Sequence, residues 1–521
     1  MHLVKLRPTF SVPPIRYCGK QSMGLKSFLN YSGRILAHKR TGNGYDSSLL
    51  SKNFSNSFFR LYLWQGFFRR PGPRTRARFI LYSQFVRKIS FSKHGFSCLI
   101  DATIVSALSE IRAQLPNLQE LGLAVKYYQV FPLINTSFAP HLQHVSLYDW
   151  PASNDQAPLI AFLHCLPEFF PSLQCLELPS ETEPTPLSTP IFDCVDRLHN
   201  LTTLKCPLRN SDTSRFLQQL SQRSALKYLT LIIHNQIELQ ETNPIEFHHL
   251  SNLGVMGRHD QVLILMKSIF SSPTSFYAVC NSHEPTPLGG VLQSMPTCVG
   301  PHLEAANISI WSEIDSTASC PFDIVLPLQV YHSLLNLYLD LNSLMISDQQ
   351  IEQLGKAWPR LRSIVMTFVE PETLMSSPDR STTCSLSGIL RLASVCHDLT
   401  QINIPFDGTR DLNPTAYVGR DGVELTVSHY CPIENPMEVA EFLAASFTGV
   451  KLDVISVCDD DDDVDGGAGI ERKWRQANAI LLRLVRARKD ERMRMRREMR
   501  EKDMRLREFE KQVLALQNNG S

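Results

Sequence analysis

The chain has almost no excess charge: 52 Lys and Arg stand against 51 Asp and Glu, a formal net charge of +1. That excludes a polyanion-binding or acidic, solvating character for the molecule as a whole and leaves room only for local charged segments. None of the 13 cysteines form a CxxC pair, and their number is odd. A zinc ribbon or a fully paired disulfide scaffold is thereby excluded; scattered buried thiols in a reducing compartment are expected. No segment reaches the roughly 18 consecutive apolar residues of a membrane span. The best candidate, VLILMKSIF at 262–270, is short and carries Lys267. Walker A, GxSxG and HExxH patterns are missing, and GNG at 42–44 lacks the third glycine of a dinucleotide loop. The expectation is a chain that is not an enzyme and uses no cofactor or metal.

What the sequence does have is one join, written many times. From Leu334 it reads LLNLYLDLNSL, with Leu334, Leu337, Leu339, Asn342 and Leu344 in the spacing L-x-x-L-x-L-x-x-N-x-L of a leucine-rich repeat. Ser347 followed by Gln350 predicts a capped helix start. Ile351, Leu354 and Trp358 form one helical stripe, and Pro359 cannot continue it. Leu361, Ile364 and Met366 then restart the strand pattern 27 residues after Leu334. Similar joins open at Leu115, Ala139, Phe170, Leu198, Arg223, Phe247 and Cys396, with a degenerate copy at Gly300. Weak units are predicted near 275–279 and at 422–427. One strand and one helix cannot bury their apolar faces alone, whereas stacked neighbours share a continuous core. The expected fold class is α/β: a leucine-rich-repeat solenoid, or horseshoe, over 76–457. An ordinary α/β domain with buried LxxLxL strands is the alternative.

The ends depart from the pattern. Residues 1–75 carry Lys5, Arg7, Arg16, Lys20, Lys26, Arg34, Lys39 and Arg40 before the first acid, Asp46. They read as a basic, partly disordered leader; a mitochondrial transit peptide is the other reading. Residues 458–469 read as an acidic flexible linker around Asp459–Asp463. An EF-hand register there would place Arg472 where a bidentate Glu is required. Residues 470–517 contain no proline or glycine and predict one long basic helix, with Trp474, Ala477, Leu481 and Leu484 available to dock. The pairs His164-Cys165 and Cys396-His397 are expected at helix–strand joins, where a small thiol packs well.

In such a solenoid, side chains between the buried leucines line up on the concave face. Those positions include Glu120, and the candidate partner-binding set is His144, Tyr148, Glu177, Tyr228, Tyr338, Asp340 and Thr367. Tyrosines there suit a protein interface; ordinary exposed surface is the alternative for each.

Several segments are similar to F-box leucine-rich-repeat proteins, fungal ones in particular. They are ISDQQIEQLGKAWPRLRSI, GILRLASVCHDLTQINI, RARFILYSQFVRKISF at 76–91, AEFLAASF, and the LLRLVRARKDER helix that follows Trp474. The resemblance implies a substrate receptor of a cullin–RING ubiquitin ligase, its box holding the cullin adaptor and its repeats the target. A Leu-Pro-x-Glu helix entry is missing from 1–75, so that region is either a diverged box that meets the adaptor or the mark of a box-less relative. The expected setting is cytoplasmic or nuclear, with no membrane association. The second expectation is a nucleic-acid-associated scaffold using the basic C-terminal helix.

Overall fold

The computed structural model describes residues 84, 87–90, 115–124, 139–148, 157–179, 188–208, 213–233, 237, 244–282, 289–312, 322–341, 344, 346–367, 384–410, 412, 418–427, 431–455 and 465–519. The chain divides into two units, Met1–Thr75 and Arg76–Ser521. The leader, any box within it, and the aspartate run 459–463 lie outside the described residues.

Sixteen strands are described: β1 Lys88–Ser90, β2 Glu120–Ala124, β3 His144–Tyr148, β4 Cys175–Glu177, β5 Thr203–Leu208, β6 Tyr228–Ile233, β7 Ile245–Phe247, β8 Asn252–Arg258, β9 Ile269–Ser271, β10 Ser275–Ser282, β11 Ala305–Ser312, β12 Asn336–Leu341, β13 Ser363–Thr367, β14 Gln401–Asn403, β15 Val418–Val427 and β16 Phe447–Val454. Between them lie α1 Ala157–Phe169, α2 Ser188–Arg197, α3 Thr213–Ser221, α4 His259–Ser268, α5 Gly289–Cys298, α6 Asp348–Ala357, α7 Leu386–Val395 and α8 Pro436–Ser446, with a 3-10 helix over Phe322–Val330 and a terminal α9, Asp465–Asn519. Fourteen strands form one parallel sheet in chain order, with β7 and β9 paired separately. The architecture is mixed α/β, a parallel sheet with a long C-terminal helix. The weak units foreseen near 275–279 and at 422–427 are β10 and β15.

The join follows from its residues. At eight places the strand-entry leucine donates its N–H to a carbonyl three residues back, at 3.0–3.4 Å, as in Leu334 to Tyr331, Leu361 to Trp358 and Leu399 to Cys396. The two residues after that leucine then donate to a single carbonyl of the preceding unit. Gln143 and His144 reach Gln119, Leu335 and Asn336 reach Glu304, and Arg362 and Ser363 reach Leu335. Such two-to-one bonds run without a break from the Arg87 carbonyl to that of Arg362, all at 2.7–3.1 Å. They fix each strand against its predecessor before the sheet bonds begin.

The residue three before the strand-entry leucine ties units together from within. The buried Tyr331 donates its hydroxyl to the Val299 carbonyl at 3.2 Å, and the Trp358 indole N–H donates to the Leu328 carbonyl at 3.2 Å. The Cys396 thiol lies 3.4 Å from the Trp358 carbonyl. Trp358 also closes α6, and Ser347 opens it: the Ser347 hydroxyl accepts from the Gln350 N–H while the Gln350 side chain accepts from the Ser347 N–H. Cys396 sits at a join as expected. His164 and Cys165 do not, lying inside α1, because that helix continues through Pro167 to Phe169.

The core is a set of ladders. One inward row runs Leu121, Val145, Leu176, Leu204, Leu229, Leu253, Phe276, Ala306, Leu337, Ile364, Ile402, Leu425 and Leu452 in strict register, every member buried. Each large member contributes roughly 1.5–3 kcal/mol on burial. At the rim Gly257, at φ +151°, passes so close to the Ile233 carbonyl that a Cβ could not fit.

Burial pushes the thiols of Cys194, Cys206, Cys280 and Cys298 up to about 12 from an ordinary 9.0. The folded thiols stay neutral where the unfolded ones ionise, so their contribution to stability is constant below pH 9 and is lost between pH 9 and 12. The slope is about 1.4 kcal/mol per pH unit for each thiol. Urea unfolding at pH 8, 9.5 and 10.5 checks this: Cys206→Ala should flatten the slope by one thiol's share, and an unchanged slope would refute it.

Candidate functional site

The pleat that buries the leucines turns the alternate residues to the other face of the sheet. There the first row runs unbroken across all fourteen strands: Lys88, Glu120, His144, Cys175, Thr203, Tyr228, Asn252, Ser275, Ala305, Asn336, Ser363, Gln401, Glu424 and Lys451. A second row, two residues on, contains Ser146, Glu177, Lys205, Thr230, Gly254, Tyr277, Asn307, Tyr338 and Val365. A third includes Ser309, Asp340 and Thr367. Cys175 is buried within this polar face, as are Gly254 and Ser309.

All seven candidate residues lie on this face and none is buried; Tyr148 and Tyr228 are the most exposed. They fall into two groups. On β2–β4, Glu120 pairs in register with His144, and its carboxylate takes an ion pair from Lys88 at 2.6 Å, which holds the Lys88 ammonium above its usual range. Glu177 accepts from the Ser146 hydroxyl at 2.9 Å. On β12–β13, Thr367 donates its hydroxyl to Asp340 at 2.7 Å, and Tyr338 stands two residues before Asp340 on the same strand. Tyr228, on β6, belongs to neither group: β8, β10 and β11 separate it from Tyr338.

Sequence reasoning missed the centre of the second group. Tyr277 and Tyr338 flank Asn307 on three adjacent strands. Burial, and Tyr338 beside it, raise the Tyr277 phenol above its ordinary value. The Asn307 Oδ1 is buried with no hydrogen-bond partner, an arrangement that costs roughly 1–3 kcal/mol in the isolated chain. The signal was present: SFYAV places Phe276-Tyr277 where LNLYL places Leu337-Tyr338.

Ser385 donates its N–H and its hydroxyl to Asp348, both at 2.6 Å. That carboxylate sits at the start of α6 and ties α7 to it. Among the described residues no group of His, Cys, Asp and Glu is arranged to hold a metal ion, and no helix is long and apolar enough to cross a membrane.

Helix α9 starts at Asp465, five residues before the expected start. It docks through Trp474, Ala477 and Leu481, all fully buried. The Trp474 indole donates to the Cys431 carbonyl at 2.6 Å and its ring meets Phe406 edge-on. From Ala487 to Gln512 the side chains are exposed, except for a half-buried Arg492. No family model matches the chain, and no curated protein matches it either.

Proposed function

We propose that the chain is a leucine-rich-repeat solenoid with no chemistry of its own, whose polar sheet face holds a protein partner. On this reading it is the substrate receptor of a cullin–RING ubiquitin ligase, or a box-less relative of one. The observation that carries the reading is the register itself. Each strand sets one buried aliphatic row beside rows of exposed polar and aromatic side chains, and the rows continue strand after strand. A receptor would hold its target there and raise the effective concentration of target lysines near the ligase's conjugating enzyme.

The test is a tagged pull-down of the full chain beside a version lacking 1–75, with mass spectrometry for the cullin adaptor. Adaptor and cullin recovered with the full chain and lost from the shortened one is the expected result. Their absence from both, with other proteins captured through the sheet face, would detach the solenoid from ubiquitin transfer.

A second reading, an RNA-associated scaffold, rests on α9. Residues 472–507 hold 15 Lys and Arg against 5 Asp and Glu. The charge is not confined to one side: at 100° per residue Asp503 falls among Lys489, Arg492, Arg496, Arg500 and Arg507, and Arg494 and Arg505 fall among Glu491, Glu498 and Glu501. RNA binding that falls steeply with salt and vanishes without 471–517 would favour it; no RNA retained at physiological salt would rule it out.

A further inference from the structure

We infer that the projecting half of α9 pairs with the same segment of a second copy of the chain, as a parallel, in-register two-stranded coiled coil over Met495–Leu516. The inference does not depend on what the sheet face binds.

The spacing comes first. Met495, Met499, Leu506, Phe509, Val513 and Leu516 follow alternating steps of four and three residues, with Lys502 at the one position between Met499 and Leu506. That is the a/d period of a coiled-coil seam. At 100° per residue the six share an arc of about 100°, a stripe along one side of the helix. Met493 and Met504 fall on the opposite side. Arg488 and Arg492 take the two preceding seam positions, so the apolar row begins at Met495.

The single chain leaves this stripe in water. Met495, Met499, Leu506 and Phe509 are each at least half exposed, while Trp474, Ala477 and Leu481 on the same helix are fully buried. The docked turns supply the costly helix nucleus, so the projecting turns only extend it. Three heptads, about 32 Å of helix, then suffice for a seam. Lys502 interrupts the row once. A single lysine in a seam costs stability and marks the register: in a parallel pair it meets only itself, its stem along the seam and its ammonium at the edge.

Charge selects the occupant and the direction. In a parallel pair the residue before each a position faces the residue five further on in the second copy. Glu491 then meets Arg496 and Arg505 meets Glu510, opposite charges both times. Glu498 would meet Asp503, but Arg494 on its own helix already holds the Glu498 carboxylate, at 3.9 Å. An antiparallel pair that opposes Met499 to Phe509 brings Asp503 beside Asp503 and Arg505 beside Arg505. Such flanking charges set partner and orientation more than strength. A foreign helix would need this pattern to match, whereas the chain carries its own complement. Arg497, Arg500 and Arg507 lie off the seam and stay exposed in the pair.

The test is sedimentation equilibrium of the full chain across a wide concentration range, beside variants at exposed positions that leave the docked turns alone. The expected result is a monomer–dimer equilibrium, the dimer at twice the 59.1 kDa chain mass. Leu506→Glu should weaken it at least tenfold, Lys502→Leu should tighten it at least tenfold, and Met504→Glu should leave it unchanged. Met499→Cys, mildly oxidised, should give a covalent dimer that wild type does not form, because facing a positions of a parallel pair stand close enough for a disulfide. A chain that is monomeric even with Lys502→Leu would overturn the inference and leave the stripe to a helix of another protein. A dimer insensitive to Leu506→Glu would put the contact elsewhere on the molecule and overturn it too. A dimer that Leu506→Glu breaks but Met499→Cys does not cross-link would overturn the parallel register.

Discussion

Leu337→Asp is expected to cost about 5 kcal/mol or more and to abolish cooperative folding near room temperature. Leu337 is 1 % exposed and lies between Ala306 and Ile364 in the inward row. Burying a carboxyl there shifts its pKa upward by up to 3–5 units, which corresponds to about 4–7 kcal/mol at neutral pH. The lost leucine burial adds to that. A domain's whole stability is roughly 5–15 kcal/mol. The neighbouring change supplies the control. Asn336 faces the other way and is exposed, so Asn336→Asp should stay within about 0.5 kcal/mol. Thermal melts of the two variants decide it. Equal melting temperatures would mean the register is wrong, and with it every assignment of a residue to one face or the other.

Trp474→Ala is expected to release α9. The ring is fully buried, packs edge-on against Phe406, and satisfies the Cys431 carbonyl. Large-to-small changes of this kind cost roughly 3–5 kcal/mol, here at the end of the sheet where α9 covers α8 and β16. The loss should be local. Brief trypsin treatment should cut the variant at Arg472, Lys473 and Arg475 while leaving the strand–helix units intact. Within α9, wild type should be cut only in the exposed arginine-rich stretch further on. Identical cleavage maps would show that the indole does not hold the helix in place.

Much of this was legible because burial is periodic. Leu337, Leu339, Ile351, Leu354 and Trp358 announce their strand and helix by spacing, and Ser347 with Gln350 announces the cap. Even weak units such as SFYAV betray a strand once the period is known. Other elements left no such trace. The pair β7 and β9 is three residues each, too short for alternation to register. The 3-10 helix over Phe322–Val330 contains Pro327 in an apolar run with no helical stripe. The start of α9 was obscured by Gly466 and Gly467, which weaken helix propensity without forbidding a helix that packs against a sheet end. Alternation alone was enough to put His144, Glu177, Tyr228, Tyr338, Asp340 and Thr367 on one face of the sheet. That Asn307 lies between Tyr277 and Tyr338 was not legible, because those residues are 30 and 31 positions away.

The two-to-one bonds that link each unit to the one before it make the width of the sheet quantised. Every carbonyl in that series is equivalent to the next, so excising residues 334–360, one full 27-residue period, would hand Arg362 and Ser363 the Glu304 carbonyl that Leu335 and Asn336 now use. Ile364 would then follow Ala306 in the inward row, at the cost of the Asp348 bonds to Ser385 and the Asp340 bond from Thr367. Taking one residue more from the strand itself would reverse the pleat and turn leucines outward. Gene duplications or deletions in this region can therefore change the width of the sheet in whole units and in no smaller step.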